Sequence, residues 1–141
     1  MRLLVFVCTL LLLVFNPAVF AAKLTLPTKD VETLEWSEKA LSESFSVKPV
    51  YKDDNLSVSV LRLHGQEKPH YHDRHDLFVT VVSGDGVIHF KDRSVAISAG
   101  DTVVIPRGTY HWAQSKGAEA AVFYVIFSPA FDPLDRRFPK D

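Results

Sequence analysis

The sequence predicts an all-β domain, an antiparallel sandwich or a small barrel, behind an N-terminal leader. Three observations favour this fold class. Beyond Val50 the hydrophobic period is close to two, which is typical of strands with one buried face. Short runs rich in β-branched residues recur roughly every 8 to 12 residues with no helical segment between them. The 141 residues leave room for one domain.

The first 21 residues have the features of an export signal. Arg2 gives a positive start, residues 3–15 are apolar apart from Thr9, and Pro17 ends any helix. Small residues around Ala21 predict cleavage after that position. The apolar run is too short for a stable membrane span, so the sequence predicts a signal peptide over 1–21 and a periplasmic or secreted protein.

Residues 22–50 are interpreted as an N-terminal arm. The segment is polar, and Val31, Leu34 and Leu41 have loosely helical spacing. Asp30 is a suitable residue to cap the start of a helix. The sequence therefore predicts one short helix within the arm, beginning near Asp30.

The β domain is predicted over residues 51–128, followed by a C-terminal tail over 129–141. Prolines at positions 129, 133 and 139 exclude a regular helix or strand from the tail, which is expected to wrap around the domain. Turn residues such as Gly84, Gly100 and Gly108 separate the predicted strands. The eight predicted strands are 56–63, 69–73, 77–83, 86–91, 95–98, 102–106, 109–114 and 119–128.

Charge and cysteine content exclude several function classes. The chain has 16 Lys and Arg against 17 Asp and Glu, a net charge of -1, so no electrostatic attraction to nucleic acid is expected. The single cysteine, Cys8, lies in the predicted leader. The mature domain is therefore expected to contain no disulfide and no thiolate site.

Three histidines carry the chemistry. His70 and His72 are two residues apart on a predicted strand, so both rings project to the same face. His111 lies on another predicted strand, just after a turn that contains Pro106 and Gly108. If the sheet closes on itself, the three neutral nitrogens meet at one point, which is the ligand set of a divalent metal site.

These residues resemble the motifs of the cupins, small barrels of the double-stranded β-helix or jelly-roll type. The second cupin motif, Gly-x5-Pro-x-Gly-x2-His-x3-Asn, is matched from Gly100 to His111 and departs only at Ser115. The first, Gly-x5-His-x-His-x3/4-Glu-x6-Gly, is matched at its histidine pair, with Gly65 one residue too near and no glutamate following. The resemblance covers about 57–128 and implies a cupin-type antiparallel β-barrel.

The resemblance implies that His70, His72 and His111 bind a divalent metal ion, whose fourth ligand in the family is the missing glutamate. Asp76 stands at the family spacing from His72 and is the preferred replacement, provided that a bulge turns it inward. If the strand alternates regularly, His75 is the alternative. If neither residue reaches the ion, three histidines remain. The absence of sulfur ligands leaves Fe, Mn, Ni, Cu or catalytic Zn.

Apolar alternating residues on the predicted strands indicate a hydrophobic cavity for a small molecule. The inward positions are expected to be Val79 and Val81, Val103 and Ile105, and Phe123, Val125 and Phe127 or their alternates. His89 is a candidate base and Arg62 a candidate clamp for a substrate carboxylate. Tyr71, Tyr110 and Trp112 point away from the ligands, and the resemblance implies a homodimer contact on that outer surface.

Two functions are consistent with these residues. One is a metal-dependent enzyme, a dioxygenase, isomerase or lyase that acts on a small organic molecule. The other is a non-enzymatic module that binds a metal or a small ligand outside the cytoplasm. The enzyme requires an acid or base in the cavity, whereas the module does not, because a fold alone does not define a function.

Overall fold

A computed structural model describes residues 24–27, 29–31 and 35–139. The predicted signal peptide over 1–21 lies outside these residues. Within them, no helix has the length and hydrophobicity needed to cross a bilayer. The twelve strands are β1 Leu24–Leu26, β2 Lys29–Val31, β3 Phe45–Lys52, β4 Ser57–Leu63, β5 Tyr71–His72, β6 Asp76–Ser83, β7 Asp85–Phe90, β8 Ser94–Ile97, β9 Thr102–Ile105, β10 His111–Lys116, β11 Ala121–Ser128 and β12 Arg136–Arg137.

The eight strands predicted for residues 51–128 are all present, each within two residues of its expected bounds. Every strand pairing is antiparallel. Strands β3-β4-β11-β6-β9 form a five-stranded sheet and β10-β7-β8 a three-stranded sheet. β12 pairs with β5, and β1 pairs with β2. The described strands do not close into a continuous hydrogen-bonded barrel, since each of the two larger sheets ends in open edges.

The core lies between these two sheets and follows the alternation of the sequence. Leu77, Val79 and Val81 of β6 are buried, whereas Phe78 between them is 40% exposed. Ile88 of β7 contributes from the opposite sheet. Burying each such side chain stabilises the fold by about 1.5 to 3 kcal/mol. The inward positions predicted on β6, β9 and β11 all belong to this core or pack against it.

The N-terminal arm differs from its predicted course. The helix, α1 Glu38–Ser42, begins after Ser37, whose Oγ accepts a hydrogen bond from the Ala40 N–H at 3.2 Å. Asp30 is therefore not its cap, because Lys29–Val31 pairs as a strand with Leu24–Leu26. β-branched residues such as Val31 favour extended backbone, which outweighs loose helical spacing in a short polar segment.

Two further segments form strands that the sequence did not predict. Phe45–Lys52 lies mostly within the predicted arm but forms β3, an edge strand of the five-stranded sheet. Its Pro49 lacks a backbone N–H, which an edge strand tolerates. The C-terminal tail contains a short 3-10 helix, Pro133–Asp135, and then Arg136–Arg137 pairs with Tyr71–His72. The tail therefore packs directly on the strand that carries the histidine pair.

Candidate metal centre

Backbone contacts bring the two histidine segments together. His70 and His111 are partners in an antiparallel bridge, and each N–H donates to the other's carbonyl at 3.0 and 2.9 Å. The turn before His111 is fixed by Gly108, which has φ +73° and donates its N–H to the His72 carbonyl at 2.6 Å. Glycine adopts a positive φ without steric strain, which explains why Gly108 occupies this position of the Pro-x-Gly turn.

His70, His72 and His111 form a buried cluster. Each ring is 3 to 4% exposed, and each offers one nitrogen within 4.8 Å of those of the other two. The ring centroids of His70 and His111 are 4.6 Å apart, and those of His70 and His72 are 5.1 Å apart. The predicted convergence of three rings is confirmed.

Hydrogen bonds set the tautomer of two of these rings. The Nδ1 of His70 lies 2.8 Å from the Lys68 carbonyl, and that of His111 lies 2.8 Å from the Thr109 carbonyl. Because a carbonyl oxygen can only accept, both Nδ1 atoms carry the proton. This leaves the Nε2 lone pairs free, as metal-binding histidines usually require.

Burial keeps the three rings neutral. It lowers the pKa of His70 to about 3, assisted by the positive charge of Arg136. It lowers the pKa of His72 to about 4, assisted by His111, and it also lowers the pKa of His111. At neutral pH the lone pairs are therefore available to a ligand. Three neutral imidazoles are a donor set that fits a divalent ion, and each offers a nitrogen close to those of the other two.

The structure does not bring Asp76 to the histidines. Arg107 donates from its Nη2 to Oδ2 at 2.6 Å, and from its Nε and backbone N–H to Oδ1 at 3.1 and 2.9 Å. These bonds from the Arg107 side chain and backbone lower the pKa of Asp76 to about 2. A bulge does lie in β6, where Ser83 and Val81 face consecutive residues of β11, but Asp76 precedes it and shares the outer face of Phe78.

His75, the other predicted candidate, joins a second cluster with His72 and Asp135. Its Nδ1 lies 2.5 Å from Asp135 Oδ2, whereas His72 Nδ1 is 4.0 Å from the same oxygen. The carboxylate also accepts bonds from the Arg74 N–H at 3.0 Å and the Arg74 Nε at 3.1 Å. Asp135 therefore fastens the tail to the loop between β5 and β6. The first cluster consists of the three histidines alone, which is the third alternative that the sequence left open.

The triad faces a cavity of about 260 Å³ between the two sheets. Its polar lining consists of the three histidines, Glu67 and Arg136. Val79, Ile105, Phe123, Val125 and Phe127 of the predicted apolar positions also line it, whereas Val81 and Val103 do not. The expected hydrophobic cavity is therefore present, with two charged groups that sequence reasoning did not assign to it.

Glu67 is the first of these groups. Its side chain is 9% exposed, its Oε2 accepts the Ala113 N–H at 3.0 Å, and its Oε1 lies 3.4 Å from Arg136 Nη2. Burial raises the pKa of Glu67, although the Ala113 N–H and Arg136 oppose the rise. The only sequence signal was an acid three residues before the histidine pair, on a segment with no periodic pattern.

His89 and Arg62 lie outside the cavity lining. His89 stacks on Trp112 with ring centroids 4.7 Å apart and contacts Ser94 Oγ at 2.8 Å and Gln114 Oε1 at 3.1 Å. Arg62 donates to the Ala40 and Glu43 carbonyls at 3.3 and 3.0 Å and so holds α1 against the sheet. Neither residue touches the three histidines in this arrangement.

The expected outer surface is partly covered. Tyr71 lies beneath the Arg137 guanidinium, which is 5.4 Å from its ring, and Trp112 packs against Tyr110 and His89. The large apolar side chains exposed on β6 and β9 are instead Phe78 and Val104, which face each other across these strands. A homodimer contact stays a prediction.

Comparison with known proteins identifies the family. The model of the cupin domain family (Cupin_2) matches residues 58–127. An uncharacterized protein of Aquifex aeolicus strain VF5 is 32% identical over 107 residues, which cover 76% of this chain and 88% of that protein. The chain belongs to the cupin family. The matched residues contain the whole histidine triad of this cupin, whereas Arg136 lies beyond them.

Solved structures support the same fold. The nucleoside dehydratase Pac13 of Streptomyces superposes with a TM-score of 0.61 at 19% identity, over 69% of this cupin and 79% of that chain. KdgF of Halomonas sp. gives a TM-score of 0.61 at 26% identity, over 72% of this cupin and 93% of that chain. The superpositions show that this cupin has the architecture of both proteins.

Proposed function

We propose that this cupin is a metal-dependent enzyme of the isomerase or lyase type that acts on a small, largely apolar organic molecule. The observation that supports this proposal is the convergence of three neutral, buried histidine nitrogens on one wall of an apolar cavity. A divalent ion bound by His70, His72 and His111 would supply a Lewis acid that polarises a carbonyl or hydroxyl oxygen. Iron, manganese, nickel, copper and zinc all suit this ligand set.

The presence of Glu67 in the cavity favours a reaction that requires proton transfer over the other candidate reactions. Glu67 is the only carboxyl group among the residues that line the described cavity, and burial raises its pKa, which makes its carboxylate a stronger proton acceptor than that of an exposed glutamate. It removes a proton from the carbon next to a polarised carbonyl, and the electron pair of the C–H bond moves into the carbonyl. In an isomerisation, the electron pair returns to another carbon conjugated with the carbonyl, which takes the proton from Glu67. In an elimination, the pair forms a C=C bond as the C–O bond to a hydroxyl group breaks, and the hydroxide takes that proton and leaves as water.

Hydrogen exchange tests this role without knowledge of the natural substrate. The purified protein, loaded separately with Zn²⁺, Mn²⁺ or Fe²⁺, is incubated in D₂O with small ketones and 2-oxo acids, and deuterium incorporation is measured by mass spectrometry. We expect Glu67→Gln to slow exchange by about a hundredfold or more, because general acid–base catalysis contributes about that much. The glutamine can still accept the Ala113 N–H, so metal content should not change.

Glu119→Gln is the matched control, because Glu119 is exposed and lies outside the cavity. It should exchange at the wild-type rate. Equal rates in Glu67→Gln and wild type would contradict the role of Glu67. Tight binding of one of these compounds by the wild type, with no exchange by any metal form, would instead favour the non-enzymatic binding module.

Export is part of the same proposal. It is supported by the charged start, the apolar run and the small residues near Ala21. When the full chain is expressed in a Gram-negative host, we expect the periplasmic fraction to contain a protein that begins at Ala22. N-terminal sequencing gives the answer, and a product that keeps residues 1–21 in the cytoplasmic fraction would contradict the proposal.

A further inference from the structure

The C-terminal tail carries a guanidinium group into the cavity. Arg136 pairs with His72, and Arg137 pairs with Tyr71. Since neighbouring strand residues point to opposite faces, Arg136 lines the cavity, whereas Arg137 binds Asp73 on the outside. The family match ends at residue 127, so Arg136 lies outside the matched residues.

The donors of Arg136 are largely unused. Its Nη2 lies 3.4 Å from Glu67 Oε1, at the upper limit of a hydrogen bond. The same atom is 3.4 Å from His70 Nδ1, but that nitrogen gives its proton to Lys68 and cannot accept one. Its Nε is buried with no partner among the described residues. A guanidinium has five N–H donors, so this one has donors that no described residue accepts.

The group is nevertheless held in place. Its carbon Cζ lies 5.7 Å from the ring centroid of Phe45 and 5.6 Å from that of Phe138. The guanidinium is thus positioned by aromatic rings, which leave its in-plane N–H donors free. Buried donors that lack a partner are unfavourable, and an incoming acceptor would remove that penalty.

The charges of the cavity favour an anionic ligand. Arg136 and Glu67 offset each other, the three histidines are uncharged, and a divalent ion on the triad would leave a net positive site. Apart from these groups, the wall of the cavity is apolar. A planar guanidinium with two free N–H groups matches the geometry of a carboxylate.

We propose that Arg136 is the substrate-binding residue for a carboxylate, and that the ligands of this cavity are small aromatic or aliphatic carboxylic acids. As a statement about substrate, the inference rests on the proposed function. As a statement about binding, it rests on the N–H donors of Arg136, which are present with or without a metal ion, and a divalent ion on the triad would strengthen the attraction.

The test compares benzoate with benzamide, which differ in charge but hardly in shape. Binding to the chelator-treated and the Zn²⁺-loaded protein is measured by calorimetry. We expect benzoate to bind at least about tenfold more tightly than benzamide, as one charge-assisted pair is worth about that much. Arg136→Gln should remove this difference, and Arg136→Lys should keep part of it. Inorganic phosphate should bind more weakly than benzoate, because the cavity is small and mostly apolar.

Arg93→Gln is the matched control, since Arg93 also lies over an aromatic ring, that of Phe90, but on the exposed surface. It should leave benzoate binding unchanged. Glu67→Gln provides a second test if Arg136→Gln does not fold, because loss of the neighbouring carboxylate should tighten benzoate binding. Unchanged benzoate affinity in Arg136→Gln, weaker affinity in Glu67→Gln, or phosphate binding as tight as benzoate would overturn the inference.

The two proposals can fail separately. If Arg136→Gln loses benzoate binding and no metal form catalyses deuterium exchange, the carboxylate site is supported and the proposed enzyme activity is rejected. If deuterium exchange depends on Glu67 but benzoate affinity does not change in Arg136→Gln, the enzyme activity is supported and the carboxylate site is rejected.

Discussion

Replacing both His70 and His72 by alanine is expected to lower the affinity for a divalent ion by more than about a hundredfold, because a single imidazole remains from a three-nitrogen site. Both rings are buried at the cavity wall with nitrogens close to that of His111. Elemental analysis of protein purified without added metal or a chelating tag measures the outcome. The wild type should retain an ion that the double variant lacks.

Two control proteins sharpen this measurement. The His64→Ala/His89→Ala variant also loses two histidines, but neither lines the cavity, so it should retain the wild-type metal content. Asp76→Asn should retain it too, because the Asp76 carboxylate is bound by Arg107 on the outer face. Metal retained equally by the wild type and the His70→Ala/His72→Ala variant would refute the proposed ligands. Metal lost from Asp76→Asn would restore Asp76 as a ligand.

The positions of the histidines were predictable because local chemistry defines them. Strand alternation places His70 and His72 on one face, and the Pro106-x-Gly108 turn sets where His111 begins its strand. The contact between the two segments is a backbone bridge, which requires only that both are extended. The motif resemblance therefore predicted that these three histidines lie close together, as the structure shows.

The remaining polar groups depend on contacts that no local pattern encodes. Arg136 and Asp135 reach the site only because the tail pairs with β5, and the prolines of that tail indicated no regular structure. Asp76 is a residue whose local sequence spacing suggested a role that its position in the structure does not allow. Its spacing from His72 suited a ligand, but the face it occupies is set by regular pairing of β6 with β9 and by Arg107.

The buried triad should also make the metal-free protein sensitive to acid. The folded-state pKa is about 3 for His70 and about 4 for His72, against about 6.5 for a histidine in an unfolded chain. Between pH 6.5 and 4 the unfolded chain therefore binds more protons than the folded one, so stability decreases as the pH falls. Urea unfolding of chelator-treated protein should show a loss on the order of 3 to 6 kcal/mol across this window.

The titratable carboxyl groups with shifted pKa values do not destabilise the fold over the same pH range as the histidines. Asp76, Asp132 and Asp135 have lowered pKa values and so stabilise the fold at neutral pH, and this contribution is lost only below about pH 5, where the unfolded chain begins to bind protons at these positions. The raised pKa of Glu67 acts in the opposite direction above its unfolded value, since the folded state then holds the extra proton. A loss of stability between pH 6.5 and about 5 is therefore specific to the histidines.

The histidine variants decide whether this assignment is correct. His70→Ala/His72→Ala should flatten the dependence between pH 6.5 and 4, whereas His64→Ala/His89→Ala should keep the wild-type slope. The same pH dependence in the wild type and in His70→Ala/His72→Ala would mean that these rings take up protons in the folded state as freely as in the unfolded chain, because the opposing effect of Glu67 is present in both proteins. Rings so accessible to protons would not be the dry, neutral nitrogen donors on which both the metal centre and the charge balance around Arg136 depend.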